Sequence, residues 1–514
     1  MSTPTRAAIA ADSPLTVEAG VKIAEAGGNA VDIAIAAALA ATLSEMLMCS
    51  LGGSGFIMVQ VPGQDPELID GADGMPSGHL TSSENADWWE VHLPYGDGID
   101  VRGGPAAVAV PGMLAALEMA WRRHGSLPWT ELVAPALELA NGFPMGKTTA
   151  MWLDIAGAPL FYRQPASREC FCPDRDDPPR EGKWCRIPGM ADTLEAIASE
   201  GAKALYEGDI AAAFVREMAD GGGFVTRSDL ADYRAIARKP LMLNSGGFQL
   251  ALNPLPAIGG VALGSLIRLA ELDWSPENTE AERSLQQARA QLCLFRLREV
   301  DFKTPDFDDR RVQVLLERDA LRTYLDALHS PHTTHLSVVA DSGAMVAITL
   351  SNGYGSGITI PGTGIPCNNS LGEPELNPRG FLSAPPGSRL VSNMVPTLAR
   401  HPDGRAIAFG TPGASRITTS MAQMWVRYAL EGKSLDEAIV APRLHVKLDV
   451  DPPAILCEPG LDVSLLERQF PIRRFDRPDM FFGGIKLAGI DGNGELQAIA
   501  DWRRQGAIAI TAPP

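Results

Sequence analysis

The sequence has few cysteines, fewer positive than negative charges, and no long apolar run. Seven cysteines scattered over 514 residues are not the pattern of a disulfide framework. The 44 lysines and arginines against 62 aspartates and glutamates give a net charge of −18, which argues against a broad nucleic-acid-binding surface. The longest strongly apolar run, 33–43, is mostly alanine and too short to span a bilayer. We therefore expect a globular protein with no nucleic-acid partner and no membrane partner.

Targeting and cofactor motifs are missing as well. The first residues, MSTPTRAAIAADSPL, lack a basic segment followed by an apolar one, so we expect no signal peptide and a cytoplasmic protein. The GGSG turn is not followed by the Lys-Ser/Thr of a phosphate loop, and the eight histidines include no HExxH. Cys170, Cys172 and Cys185 lie close together, but this spacing is a weak metal pattern and is more typical of a surface loop. No metal ion and no cofactor is predicted.

The first part of the chain is rich in helical periodicity. Residues 16–43 predict two alanine-rich helices that pack closely, separated by a Gly-Gly-Asn break. A polar, proline-rich loop is predicted for 163–188. The other predicted helices cover 112–143, 189–219, 227–233, 259–272, 284–299 and about 311–328.

The sequence pattern changes at residue 333 from helical to strand-like. The segment HLSVVADSGAMVAITLS predicts a β-hairpin with its turn at 341–344. If Asp341 and Ala344 flank the turn, Thr333 lies opposite Asn352 and the next residue, Thr334, lies opposite Ser351. These hydroxyls and the amide would form a polar site at the open end of the hairpin, although threonine and serine are also ordinary strand residues. Strands at 405–410 and 494–501 and a helix at about 416–432 are predicted further on.

The string TTHLSVVADSGAMVAITLSNGYGSG resembles the start of the small subunit of γ-glutamyltranspeptidases. Further segments resemble the family in order along nearly the whole chain, among them ADSPLTVEAGVKIAEAGGNAVDIAIAAALA, LGGSGFIM, NPLPAIGGVAL, PGTGIPCNNS, NMVPTL, FGTPGASRITTSMAQ and IVAPRLH. The resemblance implies an α+β fold, the four-layer αββα sandwich of N-terminal-nucleophile (Ntn) hydrolases. It also implies a helix-rich large subunit, 1–332, and a small catalytic subunit, 333–514, intertwined in one globular body.

The resemblance also implies a mechanism. A precursor would cut itself between His332 and Thr333, and Thr333 would become the new N-terminus and the nucleophile. A threonine hydroxyl needs a base beside it, and a free α-amino group has a pKa of about 7.7–8.0, so the same residue supplies both groups. The backbone amides of Gly413 and Ala414, in TPGAS, would stabilise the oxyanion.

Three further residues would hold the nucleophile and the acyl group by the same resemblance. These are Thr334, Ser351 and Asn352. The family carries threonine where Ser351 falls, so the hydroxyl is retained.

Substrate recognition departs from the family pattern. The segment that carries an arginine for the α-carboxylate of a γ-glutamyl group reads IDGADGMP here, with Ala72 or Asp73 at the arginine position. Losing this arginine removes a charge-assisted contact, and an aspartate nearby would repel a carboxylate.

The site for the amino group also differs, since the chain reads NNSLGEPELNP. Ser370 replaces a longer polar residue, Glu373 stands near the acidic position and could bind an amine, and a Ser-Ser pair becomes Ser392–Asn393. The NNSLGE loop resembles a branch of the family that includes cephalosporin-acylase-like enzymes. Both γ-glutamyl amides and amides of another, dicarboxylic-type acyl group therefore remain open as substrates.

Two functions of different classes follow. The first is a self-cleaving amidohydrolase or acyltransferase that passes the acyl group of a small-molecule amide to water or to an acceptor amine, as a heterodimer of its own subunits or a larger assembly. The second is an uncleaved, non-catalytic relative that binds a ligand or partner. The intact Thr333-Thr334-His335 run favours the enzyme.

Overall fold

The structure is a computed structural model, and it describes residues 3–78, 80, 86–95, 98–174, 177–300, 312, 316, 333–377, 379–413, 416–448, 450 and 452–512. Most of the predicted helix at 311–328 lies outside these residues, as do His332 and Ala414.

The first two helices form the predicted pair, α1 (Pro14–Glu25) and α2 (Ala30–Ser44). Ser13 caps α1 by accepting a hydrogen bond from the backbone N–H of Leu15, and a capping box joins Asn29 and Asp32 at the start of α2. All 15 residues of α2 are buried. Small alanine side chains on every face let α2 pack closely against its neighbours on all sides.

Most of the remaining helices lie at or near the predicted positions, but those at Lys147–Ala156 and Leu435–Val440 were not predicted. The segment 163–188, predicted as a loop, contains a short helix whose first residue is Pro165, a position that proline favours because it lacks an N–H. The helices are α3 (Met113–His124), α4 (Trp129–Ala140), α5 (Lys147–Ala156), α6 (Pro165–Phe171), α7 (Met190–Glu200), α8 (Lys203–Tyr206), α9 (Asp209–Gly221), α10 (Arg227–Asp232), α11 (Gly259–Asp273), α12 (Glu280–Val300), α13 (Arg416–Ala429) and α14 (Leu435–Val440).

Two antiparallel sheets dominate the strands. The seven-stranded sheet has the order β22-β1-β11-β12-β2-β3-β8. Its strands are β1 (Ala7–Ala11), β2 (Ser54–Gln60), β3 (Glu67–Gly71), β8 (Ile236–Arg238), β11 (Thr334–Ala340), β12 (Met345–Ser351) and β22 (Ala507–Ile510). Strands from before and after residue 333 are interleaved in this sheet, because β1 lies between β22 and β11.

The second large sheet has six strands in the order β21-β20-β16-β15-β10-β9. They are β9 (Leu241–Ser245), β10 (Phe248–Leu252), β15 (Thr397–Arg400), β16 (Ala406–Gly410), β20 (Lys486–Ile490) and β21 (Leu496–Ala500). Short strands form smaller sheets: β4 (Trp89–Leu93), β5 (Ile99–Gly103), β6 (Phe143–Pro144), β7 (Trp184–Cys185), β13 (Thr359–Ile360), β14 (Ile365–Pro366), β17 (Leu444–Lys447), β18 (Ala454–Cys457) and β19 (Ile472–Arg474).

The predicted hairpin is present as β11 and β12, but its predicted register is wrong by one residue. Thr334 pairs with Leu350 rather than Ser351, so continuing the register places Ser351 opposite Thr333. The cause is the turn: three residues, not two, lie between Ala340 and Ala344, closed by a hydrogen bond of 2.9 Å from the N–H of Ala340 to the carbonyl of Ala344. Gly343 takes the left-handed conformation that such a three-residue loop requires.

Three buried apolar clusters relate the sheets to the helices. One cluster combines α2 with residues of the seven-stranded sheet, and a second combines α11 and α13 with residues of the six-stranded sheet. A third joins side chains of both sheets, such as Met58 and Ala347 of the first with Leu398 and Ala488 of the second. The two sheets therefore share a core. None of the helices that the structure describes is long and apolar enough to cross a membrane.

Candidate active site

A small cavity lies at the open end of the β11–β12 hairpin. Its free interior volume is about 20 Å³, room for about one water molecule. Six of the residues selected from the sequence line it: Thr333, Ser351, Ser370, Glu373, Ser392 and Asn393. The other lining residues are Ser54, Ala72, Asp73, Leu376, Leu390, Val391 and Met394.

Thr333 directly precedes β11 and is only 2% exposed. Its carbonyl oxygen lies 3.4 Å from the guanidinium Nη1 of Arg504, which donates to it. On the neighbouring strand, the Ser351 hydroxyl accepts a hydrogen bond of 3.0 Å from the backbone N–H of Gly353. Gly53 lets its strand approach, because a β-carbon there would lie 2.2 Å from the Ser351 carbonyl oxygen. Backbone contacts thus fix both residues beside the cavity.

The side chain of Thr334 points into a buried polar cluster formed near the start of α1 and the end of α2. Its hydroxyl lies 2.9 Å from Oδ2 of Asp12 and 2.5 Å from Oε2 of Glu45. The other oxygen of Glu45 accepts from the Thr16 hydroxyl at 2.6 Å, and Lys486 lies 2.6 Å from Oδ1 of Asp12. A hydroxyl has one proton to donate, so it satisfies both carboxyl groups only if one of them is protonated.

Glu45 is the member of this cluster that holds a proton below about pH 7. Burial, followed by the nearby charge of Asp12, raises its pKa to about 7, against the opposing hydrogen bonds of Thr16 and Thr334 and the charge of Lys486. Protonated Glu45 can donate to the Thr334 hydroxyl, which then donates to Asp12, and Asp12 forms an ion pair with Lys486. These contacts fix Thr334, the residue next to Thr333, because they come from both helices and sheets.

His335 is buried two residues after Thr333 but cannot serve as a base. Its ring nitrogens lie 2.8 Å from the hydroxyl of Thr349 and 2.9 Å from that of Ser337. Burial, reinforced by the charge of Lys486, lowers its pKa to about 3. The ring is neutral, and its contact with Thr349 joins β11 to β12.

Asn352, predicted to contact the acyl group, is not among the residues that line the cavity. Its side-chain oxygen accepts from the Ser50 hydroxyl at 2.8 Å, and its amide nitrogen donates to the carbonyl of Cys367 at 3.3 Å. The first contact holds the loop between α2 and β2 against the end of the hairpin, and the second joins the end of the hairpin to the segment that follows β14.

Gly413, predicted to supply an oxyanion donor, lies just before α13 and has a φ of 127°, a conformation that suits glycine. Its carbonyl oxygen accepts from the backbone N–H of Arg416 at 3.0 Å. Gly413 therefore lies near a helix N-terminus, where partial positive charge favours an anion. Gly413 does not itself line the cavity.

Three of the polar side chains that line the cavity are those of Ser370, Asp73 and Glu373. The Ser370 hydroxyl donates to Oδ2 of Asp73 at 2.6 Å. Burial raises the pKa of Asp73 to about 7, against the hydrogen bonds of Ser370 and Ser54 and the charge of Arg389. Burial also raises the pKa of Glu373 well above its usual range, with the charges of Glu375 and Asp73 adding to the effect.

The sequence offers three arginines as substitutes for the family's carboxylate ligand, Arg102, Arg389 and Arg416, and none of them lines the cavity. Arg102 packs on the ring of Phe381, 4.3 Å from its centroid, and pairs with Glu90. Arg416 donates to the Phe481 carbonyl. Arg389 packs on the Tyr233 ring and lies 3.8 Å from the buried carboxylate of Asp70.

Sequence reasoning missed Asp12, Glu45, Lys486 and Arg504. Asp12 and Glu45 are acidic residues in otherwise apolar, alanine-rich surroundings, which is the one signal that could have singled them out. Lys486 and Arg504 lie far beyond Thr333 in the sequence, and the packing of β20 and of the segment after β21 brings them close to the residues around it. The described residues contain no group of three or more His, Cys, Asp or Glu side chains that could hold a metal ion.

Comparisons with known proteins agree along the whole chain. The sequence pattern of the family described as gamma-glutamyltranspeptidase matches residues 16–511. The chain is 30% identical to the acylase ACY 1 proenzyme of Pseudomonas sp. (strain V22), over 99% of this chain and 94% of that protein. It is 26% identical to the glutathione hydrolase proenzyme of Bacillus subtilis (strain 168), over 97% of this chain and 90% of that one.

Among solved structures, cephalosporin acylase from Bacillus halodurans superposes with a TM-score of 0.82 at 25% identity, over 99% of this chain and 96% of that one. The α+β fold is therefore that of an Ntn hydrolase enzyme, as predicted. The chain belongs to the γ-glutamyltranspeptidase family.

Proposed function

We propose that the protein is a self-processing amidohydrolase or acyltransferase in which Thr333 forms the acyl-enzyme. The observation that carries this proposal is the placement of Thr333, buried beside a polar cavity with Ser351 across the hairpin. A nucleophile on a rigid strand end, opposite a second hydroxyl, is a suitable arrangement for acyl transfer.

Processing would proceed in two steps. The Thr333 hydroxyl oxygen attacks the carbonyl carbon of His332, and the peptide nitrogen leaves as the α-amino group of Thr333, so an ester replaces the amide. Water then attacks the ester carbonyl and releases the His332 carboxylate and the free hydroxyl. Two chains result, 1–332 and 333–514.

Turnover would repeat this chemistry on an external amide. The α-amino group of Thr333 takes the hydroxyl proton while the oxygen attacks the substrate carbonyl, and the leaving amine receives that proton. The N-terminal end of helix α13, together with the backbone N–H of Gly413 just before it, would stabilise the oxyanion. Water or an acceptor amine then removes the acyl group.

We further propose that the two large sheets are the central layers of a four-layer αββα sandwich, with the large and small subunits intertwined. The shared core between the sheets and the separate helical core on each sheet support this arrangement. A heterodimer of the two cleaved chains is the expected functional unit.

Intact mass spectrometry of freshly purified protein tests the processing step. We expect two chains that meet at the His332–Thr333 bond, and a single chain for Thr333→Ala. Thr333→Ser is the matched control, because it keeps the hydroxyl and should still split. A wild-type chain that stays whole would instead favour an uncleaved, ligand-binding relative.

A further inference from the structure

Arg504 is a buried cation beside the nucleophile. It is 2% exposed, and its Nη1 donates to the carbonyl oxygen of Thr333 at 3.4 Å. It does not line the cavity, so a substrate bound there would contact Thr333 and not the guanidinium. Backbone bond lengths place the nitrogen of Thr333 within about 8 Å of the Nη1 atom.

The guanidinium of Arg504 has few partners for a buried charge. Its Nε and Nη2 are buried and find no hydrogen-bond acceptor, and no acid of the described residues forms an ion pair with it. Two other buried arginines differ in this respect: Arg503 pairs with Glu458 and Arg443 pairs with Asp501, each at 2.6 Å. A buried charge without a counter-ion costs free energy, so its presence next to a nucleophile calls for a functional explanation.

Gly484 fixes the direction of this side chain. A β-carbon on Gly484 would lie 2.9 Å from both Cβ and Cγ of Arg504, so the stem of the arginine packs directly against the backbone at this glycine. The N–H of Gly484 donates to the hydroxyl of Thr411 at 2.8 Å, and its carbonyl accepts from Lys486 at 2.8 Å. The packing of its stem therefore holds the guanidinium beside Thr333.

Several carboxyl groups near Thr333 favour the protonated form of an amine. The other titratable groups around Thr333 and Thr334 are Asp73, Glu373, Asp12, Glu45, His335 and Lys486. Asp12 is already paired with Lys486. Burial gives Glu45 and Asp73 a pKa of about 7 each, so both become negatively charged as the pH rises through this value. A negative charge raises the pKa of a neighbouring amine, so these groups alone would hold a proton on the nitrogen of Thr333.

We infer that the guanidinium of Arg504 keeps the α-amino group of processed Thr333 unprotonated at neutral pH, so that this amine can take the proton of the Thr333 hydroxyl. This inference rests on the proposed function and names a positioning residue for its base. A positive charge about 8 Å away, at an effective dielectric constant of about 20, lowers the pKa of an amine by about 1 to 2. The ammonium that forms is then also a stronger acid, which favours the return of the proton to the leaving amine.

An NMR titration of the α-amine tests the inference and needs no substrate. Processing turns the nitrogen of Thr333 into an amine, whose resonance in protein labelled with ¹⁵N-threonine is separate from those of peptide amides. We expect the pKa of this amine in the wild-type processed protein to lie below about 7.7–8.0, the reference range for a free α-amino group. A wild-type pKa within or above that range would overturn the inference.

Substitutions assign the effect to the charge of Arg504. Arg504→Met keeps the stem and removes the charge, so the pKa of the amine should rise by about 1 to 2. Arg504→Lys keeps the charge and should leave the pKa near its wild-type value, which a purely structural role would not predict. Arg405→Met is the matched control, since Arg405 pairs with Asp403 at the turn between β15 and β16, and it should change nothing. An unchanged pKa in Arg504→Met would refute the assignment.

The outcomes separate the two proposals. Two chains whose amine titrates alike in the wild type and in Arg504→Met would overturn the inference and leave the proposed function intact. A wild-type chain that never splits has no α-amino group at Thr333, which would defeat the proposed function and the inference with it. If Arg504→Met does not fold, the wild-type titration and that of Arg504→Lys still decide, because both proteins keep the charge and should share a lowered pKa.

Discussion

At the scale of single residues, the side chain with the clearest consequence is Glu45. It is one of two carboxyl groups around the Thr334 hydroxyl, and it is the one that keeps a proton at mildly acidic pH. Its ordinary pKa is 4.5 and burial raises the folded-state pKa to about 7. The unfolded chain therefore loses this proton at lower pH than the folded protein does.

Because the pKa of Glu45 is higher in the folded than in the unfolded state, the stability of the protein should fall as the pH rises. Between pH 4.5 and 7 the folded state binds more protons at Glu45 than the unfolded state, so the free energy of unfolding decreases over this window and stays lower above it. The loss is on the order of 3 kcal/mol at most. Denaturant unfolding at pH 5 and pH 7.5, in a Thr333→Ala background that remains one chain, measures it.

Glu45→Gln is the control for this prediction, because glutamine resembles the protonated acid in shape and cannot ionise. Its unfolding free energy should depend less on pH than that of the parent, although Asp73 contributes a shift of the same sign. An identical pH dependence in both proteins would show that Glu45 is already ionised in the folded state.

Lys486 gives a second prediction at this scale. It is fully buried, and its ammonium group contacts Asp12 and donates to the Gly484 carbonyl at 2.8 Å. Lys486→Met should destabilise the protein by about 3–5 kcal/mol, since it leaves Asp12 charged and unpaired in the interior. The double variant with Asp12→Asn should recover part of this loss in denaturant unfolding; no recovery would mean that the pair is not the cause.

At the scale of elements, the hairpin and the strand beside it decide the shape of the cavity. Ser351 pairs with Ser54 across β12 and β2, and both residues line the cavity. The approach of the two strands depends on Gly53, where a β-carbon would meet backbone rather than a side chain that can move. Backbone crowding of this kind cannot be relieved by a change of rotamer.

Gly53→Ala should therefore impair the site without touching a reactive group. We expect destabilisation by about 1–3 kcal/mol and slower splitting of the precursor, because the end of the hairpin is displaced. Gly492→Ala is the control: its β-carbon would lie 4.0 Å from the Arg405 side chain, in ordinary contact. Time-resolved mass spectrometry of precursor splitting measures the effect, and normal splitting in Gly53→Ala would contradict it.

At the scale of the whole molecule, the two halves of the chain are interleaved. In the seven-stranded sheet β1 lies between β22 and β11, and β12 lies between β11 and β2. The contacts of Thr334 and Lys486 with Asp12 and Glu45 also join the two halves. Cutting one bond before Thr333 leaves all of these contacts in place.

The two cleaved chains should consequently remain together. Native size-exclusion chromatography should give one peak that contains both, and denaturing electrophoresis of that peak should give two bands. Separate peaks under native conditions would contradict the interleaved arrangement. Protein that does not split, such as Thr333→Ala, provides the elution volume for comparison.

Much of the fold follows from local sequence. The pairing of α1 with α2, most of the later helices and the β11–β12 hairpin were predicted because apolar periodicity, capping residues and β-branched runs act over short distances. The segment 163–188 was misjudged, since a proline-rich stretch can also begin a helix. The register was wrong by one residue because a three-residue turn and a two-residue turn have nearly the same sequence signal.

By itself the sequence determined the family, the nucleophile candidate Thr333 and the absence of an arginine at the substrate position, because these depend on residue identity in ordered motifs. Only the tertiary structure decided that Asp12, Glu45 and Lys486 surround Thr334, that Asn352 lies behind the cavity wall and that Asp73 and Glu373 share one cavity. These residues are brought together by packing between strands and helices hundreds of positions apart. No local pattern encodes contacts of that range, and they set the charge of the site.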